Sequence, residues 1–255
     1  MMLDAVKKAA EIMVSSQYVT ALTGAGVSVE SGIRPFRGPG GIWTERGEPP
    51  MDGYQRFIRD PKKYWENRNR PRRSPDSGAV RKPAEPNPGH YALAELEKLG
   101  VIKSLITQNI DNLHNVAGSQ NVIEIHGNSR KLRCIKCNRR WPRGGFNMKG
   151  NPPKCPNCGG VIKGDTVMFG EPIPRDVLER SFAESNRSDC MLVIGTSAVV
   201  HPAANMPIIV KRNGGVLIEV NPMNTGLTSH CDITIQAPSG ESLPVLLGEV
   251  QNILV

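Results

Sequence analysis

The sequence lacks any long hydrophobic run. Among its 255 residues, no apolar stretch approaches the roughly 20 residues that a membrane-spanning helix needs. It also lacks the pattern of a secretory signal, because its N-terminal segment MMLDAVKKAA carries an early acid and is typical of an amphipathic helix. A hydrophobic content of 38% and a charged content of 22% are typical of soluble globular proteins. We therefore expect a cytoplasmic protein without membrane contact, built from one α/β core and a small additional module.

Acidic residues are missing from one long segment. Residues 130–163 contain ten Lys or Arg and no Asp or Glu, and residues 62–82 contain eight basic residues against two acids. Because the whole chain has a net charge of only +8, the remainder is net acidic and the basicity belongs to two local surfaces. Such surfaces favour acidic partners, including nucleic acid or chromatin-type protein–DNA complexes. A solvated surface that aids solubility is an equally good interpretation.

The complete dinucleotide-binding pattern of dehydrogenases is also missing. Gly24-Ala25-Gly26 follows a short β-prone run, and its glycines would let backbone N–H groups approach a diphosphate closely. However, Val29 stands where the third glycine would be, and no hydride-transfer site is apparent. Since many tight turns contain Gly-x-Gly, this motif is weak by itself.

Short β-rich segments alternate with helical ones along the chain. The helix after Asn87-Pro88 has an Asn cap and a first-turn Pro, carries Leu93, Leu96 and Leu99 on one face, and stops at Gly100. The pattern predicts strands at 18–22, 103–107, 122–125, 191–194, 216–220 and 233–235, and further helices at 3–16, 175–185, 203–212 and 243–252. This alternation predicts a Rossmann-like parallel sheet covered on both faces.

Two segments interrupt the alternation. Residues 34–86 are rich in Pro, Gly and Arg, so a continuous helix is not expected there. Residues 128–166 have little apolar content, so we expect a bound metal to replace a hydrophobic core.

Polar motifs follow five of the predicted strands. They are Gly24-Ala25-Gly26, Gln108-Asn109-Ile110-Asp111, His126-Gly127, Gly195-Thr196-Ser197 and Asn221. Because ligands of open α/β sheets bind at the carboxyl ends of the strands, the coincidence predicts one site. Asn221 could bind ribose hydroxyls there or simply form an Asn-Pro turn.

Histidine supplies the best candidate for a general base. His126 has an ordinary pKa of about 6.5 and can therefore take and return a proton at neutral pH. A lone histidine after a strand is more often structural, but Asn109 and Asp111 add an amide and a carboxylate at a neighbouring strand end. His114 is either a supporting residue of the site or a surface residue. The other histidines, His90, His201 and His230, are interpreted as structural.

Four of the six cysteines form two close pairs. Cys134-x-x-Cys137 and Cys155-x-x-Cys158, with seventeen residues between them, are typical of a zinc ribbon. Four thiolates would leave no coordination position for water, so the zinc would be structural. The remaining Cys190 and Cys231 lie at strand edges and are expected only to pack.

The combined motifs resemble those of the sirtuins. The matching segments are GAGVSVESGIRPFRG (24–38), TQNIDNLH (107–114), HG (126–127), the cysteine pairs, VMFGEPIP (167–174), GTSAVVHPAA (195–204) and VNP (220–222). The resemblance implies an NAD-dependent protein-lysine deacetylase or deacylase that releases nicotinamide and O-acyl-ADP-ribose. It also implies a discontinuous NAD-binding domain (1–33, 84–127 and 167–255) and a small domain made of a cofactor-binding loop with a basic insertion (34–83) and the zinc ribbon (128–166).

The resemblance also implies residue roles. His126 would draw a proton from the ribose hydroxyls, and Asn109 and Asp111 would shape the nicotinamide pocket. Other NAD-binding positions would be Gly24, Ala25, Gly26, Ser28, Phe36, Arg37, Gln108, Ile110, Gly195, Thr196, Ser197, Asn221 and Ser242. Acylated protein lysines would bind at Val167, Met168, Phe169, Gly170, Glu171 and Val199.

Two departures and two alternatives stand beside this interpretation. The family usually has Ile-Pro-x-Phe-Arg, whereas this chain has the segment IRPFR (33–37); the arginine and the shifted proline could change closure of the cofactor loop. The Tyr and Arg that recognise acidic acyl groups in one branch of the family are not found at matching spacing, although Arg68 and Arg70 leave such recognition open.

The alternatives are protein mono-ADP-ribosyl transfer on the same scaffold and a non-catalytic module associated with NAD or DNA.

Overall fold

The computed structural model describes residues 2–69, 83–147 and 149–255. They form two compact units: the described residues within Met1–Glu48, Ala84–Ile125 and Arg175–Val255, and those within Pro49–Pro83 and His126–Pro174. The predicted domain boundaries differ at residues 34–48, which lie in the first unit, and at 126–127 and 167–174, which lie in the second. The sequence predicts no continuous helix through residues 34–86, and the part of this prediction that concerns residues 70–82 lies outside the described residues.

Strands and helices alternate as the sequence pattern predicts. The strands are β1 (Val19–Thr23), β2 (Ile102–Thr107), β3 (Val122–Glu124), β4 (Lys131–Cys134), β5 (Arg140–Pro142), β6 (Ile162–Gly164), β7 (Cys190–Ile194), β8 (Val216–Val220) and β9 (Ile233–Ile235). The helices are α1 (Met2–Ser15), α2 (Ile42–Arg46), α3 (Gly53–Arg59), α4 (Pro61–Asn69), α5 (Pro88–Lys98), α6 (Leu113–Ala117), α7 (Arg175–Arg187), α8 (Asn205–Arg212) and α9 (Ser239–Leu254). No described helix is both long and apolar enough to cross a bilayer.

A six-stranded parallel sheet forms the centre of the first unit. Its strand order is β3-β2-β1-β7-β8-β9. Every residue of β1 and β7 is buried, as expected for central strands covered on both faces. Apolar residues of α1, α5 and α9 pack in the same core as these strands. The predicted Rossmann-like fold class is confirmed, because the order reverses between β1 and β7 as in doubly wound sheets.

Helix α5 begins as predicted. The Asn87 side chain accepts hydrogen bonds from the backbone N–H groups of Gly89 and His90 at 3.0 and 3.4 Å, which satisfies two N–H groups that have no partner within the helix. The predicted apolar face is wrong at one position, because Leu99 is 41% exposed. Leu99 follows the last helical residue and precedes Gly100, whose φ of 73° reverses the chain and places Leu99 beyond the buried face.

The second unit contains an antiparallel sheet of order β5-β4-β6 together with α3 and α4. The expectation that metal alone replaces a core needs correction, because Trp65, Leu132 and Ile162 pack with Cys134 and Cys155 in a small buried cluster. Trp65 Nε1 also donates to the Ile162 carbonyl at 2.8 Å. Helix α4 thus supplies an apolar side chain that the ribbon's own sequence lacks.

Candidate functional site

Two loops meet at the carboxyl ends of β1 and β7. Gly24 N–H donates to the Ile194 carbonyl at 3.0 Å, and Gly26 N–H donates to the Gly195 carbonyl at 2.7 Å. A Cβ at position 26 would lie 2.6 Å from Gly195 Cα, and one at position 24 would lie 2.6 Å from Thr196 Cβ. Packing of the two loops therefore requires glycine at both positions. This contact between loops is a second reason for the two glycines, besides the predicted close approach of a diphosphate.

A polar network joins the β1 loop to the loop after β2. Asn109 Nδ2 donates to the Gly24 carbonyl at 3.0 Å and to Ser28 Oγ at 3.1 Å. Ser28 Oγ in turn donates to Asp111 Oδ2 at 2.8 Å, while Asp111 Oδ1 accepts from Leu113 N–H at 2.9 Å. The structure thus brings together three of the predicted site residues and holds each side chain in one orientation.

Two buried histidines extend this network. His90 Nδ1 accepts from Asn87 N–H at 3.3 Å, so the proton lies on Nε2, which is 3.4 Å from Ser28 Oγ. His114 Nε2 lies 3.0 Å from Thr23 Oγ1. Burial lowers the pKa of His90 to about 4 and that of His114 to about 3, so both rings are neutral at pH 7.

The surface interpretation of His114 is wrong, because its exposed fraction is 2%. His90 was predicted to be structural, and it does complete the cap of α5, but it also contacts Ser28 of the site. No local pattern could have shown this contact, since 62 residues separate the two positions.

The loops after β7 and β8 form the other half of this edge. Thr196 Oγ1 accepts from Gln108 Nε2 at 2.8 Å, and Asn221 Nδ2 donates to the Thr196 carbonyl at 3.3 Å. Ser197 is exposed beside them. Ser242 is fully buried in the first turn of α9, where its hydroxyl donates to the Pro238 carbonyl at 2.8 Å.

The predicted cofactor loop is ordered between residues 34 and 48. Phe36 is 44% exposed and packs on Trp43 with 4.7 Å between ring centroids. Arg37 lies over the Trp43 ring and pairs with Glu48 at 2.6 Å. The departure at Arg34 has a structural consequence, because its guanidinium donates to the Gly40 carbonyl at 2.8 and 3.0 Å and so closes the turn within the loop.

His126 lies in the second unit, two residues after the last residue of β3. Its backbone carbonyl accepts from Val167 N–H at 2.8 Å. Gly127 has a φ of 76°, and a Cβ there would overlap the Asp165 carbonyl at 2.0 Å. The Phe169 carbonyl accepts from Tyr54 N–H at 3.0 Å. The predicted substrate segment, residues 167–171, is therefore anchored to the backbone on both sides, whereas Val199 is an exposed residue of the first unit.

The four paired cysteines converge as predicted. Their sulfur atoms all lie within 4.8 Å of one another, with 3.5 Å between Cys134 and Cys158 and 3.8 Å between Cys137 and Cys155. A zinc–sulfur bond of about 2.3 Å separates tetrahedral ligands by roughly 3.8 Å, so the arrangement fits zinc. The turns at the two pairs are alike, since Cys134 and Cys155 each accept from the N–H four residues later, at 3.0 and 2.9 Å.

The structure has a parallel sheet with a glycine-rich loop where the strand order reverses, and a module in which four cysteine sulfurs converge. These features define the class of the protein: a dinucleotide-binding α/β protein with a metal-binding ribbon module. Residues 24–202 match the model of the Sir2 family, and relatives more than 40% identical match nearly the full length. The chain belongs to the Sir2 family, which confirms the predicted sirtuin resemblance.

The relatives include protein deacylases and solved complexes. An NAD-dependent protein deacylase of Thermococcus kodakarensis is 44% identical over 96% of both chains. NAD-dependent protein deacylase 1 of Archaeoglobus fulgidus is 43% identical over 97% of this chain and 99% of its own. A solved Sir2 homologue–NAD complex is 43% identical with a TM-score of 0.79, covering 98% of this chain and 95% of that chain. A Sir2–p53 peptide–NAD+ structure is 32% identical with a TM-score of 0.76, covering 97% and 99%.

Proposed function

We propose that this chain is an NAD-dependent protein-lysine deacylase that releases nicotinamide and O-acyl-ADP-ribose. The observation that carries the proposal is the Asn109–Ser28–Asp111 network at the carboxyl edge of the parallel sheet. The edge offers an amide, a hydroxyl and a carboxylate in fixed orientations where such sheets bind dinucleotides. Curated relatives that match almost the whole chain are NAD-dependent deacylases, in agreement with the predicted activity.

The residues of the first unit would bind and orient the dinucleotide. NAD, when bound, supplies a ribose that loses nicotinamide and accepts the acyl group. Asp111 and the backbone at Ile110 would hold the nicotinamide amide, and the loop containing Phe36 would exclude water. Thr196 and Asn221 would bind the adenosine half. Such pre-orientation matters because aligned reacting groups remove much of the entropic barrier.

His126 would act as the general base. A ring nitrogen of His126 would take a proton from a ribose hydroxyl, so that the oxygen can attack the acyl carbon. A neutral imidazole can accept that proton. The reaction is therefore an acyl transfer, and the enzyme would be classed as a transferase.

The acylated peptide would bind along residues 167–171 and at Val199 as an added strand. A Sir2 structure with a p53 peptide, similar to this chain, supports a peptide substrate. Acylation removes the charge of lysine, and this favours entry into a dry site because a charged ammonium costs several kcal/mol to bury. The four thiolates would hold a structural zinc.

Mass spectrometry of one reaction separates the candidate functions. The protein is incubated with NAD and an acetyl-lysine peptide, with an unacetylated peptide as control. We expect the peptide to lose one acetyl group while nicotinamide and acyl-ADP-ribose appear in equal amounts. ADP-ribose attached to protein would instead indicate mono-ADP-ribosyl transfer. The absence of nicotinamide release with either peptide would indicate a non-catalytic module.

We also propose that the ribbon surface, formed by the exposed Lys and Arg side chains of residues 130–163, binds an acidic partner such as nucleic acid. The ten basic residues of 130–163 do not all reach that surface, because Arg133 and Lys163 are buried. Exposed ones include Lys136, Arg139 and Lys149. A labelled DNA duplex should bind with an affinity that falls steeply with salt, and Arg139→Glu with Lys149→Glu should weaken binding at least tenfold. An affinity unaffected by these reversals would exclude this surface. The cytoplasmic location stays a prediction.

A further inference from the structure

Four charged side chains are buried together in the second unit. Lys163, Arg133, Asp165 and Glu171 have side-chain exposures of 0, 4, 2 and 2%. Two are cationic and two anionic, so the buried charge is balanced. Charges this deep are rarely tolerated unless every one is paired and hydrogen-bonded. The cluster adjoins the predicted substrate segment, because Glu171 is the last residue of that segment.

The Lys163 ammonium uses all three of its N–H donors. Nζ lies 3.0 Å from Glu171 Oε2, 2.7 Å from the Thr166 carbonyl and 2.9 Å from the Gly164 carbonyl. An ammonium has three donors and no acceptor, so its hydrogen-bonding capacity is filled. Two of its partners, Thr166 and Glu171, flank residues 167–170. Lys163 therefore fastens both ends of that short segment to β6.

Glu171 in turn shapes the segment from within. Its Oε2 accepts from Met168 N–H at 2.8 Å, and its own N–H donates to the Met168 carbonyl at 3.0 Å. Gly170, with a φ of 77°, provides the turn between them. The other carboxylate oxygen of Glu171, Oε1, accepts a hydrogen bond from the Arg133 guanidinium. The carboxylate thus joins the turn to β4 as well as to Lys163.

Asp165 and Arg140 complete the surroundings of the cluster. Arg133 Nε and Arg140 Nε lie 3.1 and 3.2 Å from Asp165 Oδ1. Arg133 Nε is not aligned for a hydrogen bond, so its contact with Asp165 is an ion pair only. Lys163, by contrast, donates directly to backbone carbonyls, those of Gly164 and Thr166.

We infer that Lys163 is a positioning residue for the acyl-peptide substrate, whose buried ammonium holds residues 166–171 in the conformation that receives the peptide. The inference rests on the proposed function, because it assigns peptide binding to this segment. A peptide that adds as a strand needs backbone N–H and C=O groups at fixed spacing. Lys163 supplies that order without touching the peptide, since its three donors are already engaged.

The site should also respond to pH. Burial lowers the pKa of Lys163 to about 8, with Arg133 adding to the decrease and Glu171 opposing it. Above pH 8 the neutral amine has only two donors, so one of its three contacts is lost and Glu171 loses a counter-ion. The other charged groups that face Lys163 are Arg133, Asp165 and Glu171, and burial raises the pKa of Tyr54, beside Glu171 and Arg133, above its usual 10. The KM for peptide should therefore rise between pH 7 and 9.

Steady-state kinetics on the zinc-loaded full chain test the inference. Lys163→Met keeps the side-chain length but removes the three bonds. We expect the KM for acetyl-peptide to rise roughly tenfold or more, as loss of bonds from a charged donor suggests, with the KM for NAD changed less than twofold. Lys103→Met, at an exposed lysine of β2, is the matched control and should leave both values unchanged.

Two further variants keep the test decisive if Lys163→Met folds poorly. Lys163→Met with Glu171→Gln also removes the buried carboxylate that has lost one of its two cationic partners, so we expect stability to recover while the KM for peptide stays high. Lys163→Arg remains charged at every pH, so its KM for peptide should not rise between pH 7 and 9. Equal changes in both KM values, or an unchanged KM for peptide in an active enzyme, would overturn the inference alone. A wild type that releases no nicotinamide would overturn the proposed function, and the inference with it.

Discussion

His126→Ala is expected to lower kcat/KM for deacylation by about 10²–10⁴-fold, the range that a positioned general base contributes. The side chain is half-buried, and the contact that ties this residue to the substrate segment is made by its backbone carbonyl. Alanine keeps that carbonyl, so the unfolding midpoint should change little. Rates are measured by nicotinamide release, and folding by thermal unfolding of the same samples.

The matched control is His230→Ala, which removes an exposed imidazole and should retain full activity. Retention of more than a tenth of wild-type activity in His126→Ala would show that another group removes the ribose proton.

Loss of the metal is expected to unfold the ribbon and reduce activity at least 100-fold. Structural zinc in small modules has an apparent binding free energy of about 10–16 kcal/mol, and that energy is also folding energy. Cys155→Ser removes one thiolate of the cluster. Because Trp65 packs on Cys134 and Cys155, helix α4 should lose hydrogen-exchange protection together with residues 128–166.

The strands of the parallel sheet should keep their protection, since their core is formed within the first unit. Zinc content by elemental analysis and hydrogen exchange by mass spectrometry give the two readouts. Cys231→Ser is the control, because Cys231 lies outside the four-sulfur cluster. Native protection of residues 128–166 in zinc-free protein would contradict the structural role of the metal.

Local patterns in the sequence determined much of this protein. The Cys-x-x-Cys spacing sets two identical turns within a few residues, so the metal site is encoded locally. The buried strands and the Asn87 cap are likewise short-range features. Parallel topology then makes the carboxyl ends of the strands one edge, which is why Gly24, Asn109 and Thr196 could be predicted to share a site.

Other features depend on residues far apart in the chain and were decided only by the tertiary structure. Position 26 must be glycine because a Cβ there would clash with the backbone of Gly195. His90 lies beside the site because its ring contacts the Ser28 hydroxyl. Lys163 was counted among a basic surface because it ends the segment 130–163, which contains ten basic residues and no acid. In the structure its side chain has no exposure and lies among Glu171, Arg133 and Asp165. A charge can be buried only where opposite charges and carbonyls converge on it, and that convergence exists only after β4, β6 and the substrate segment have packed together.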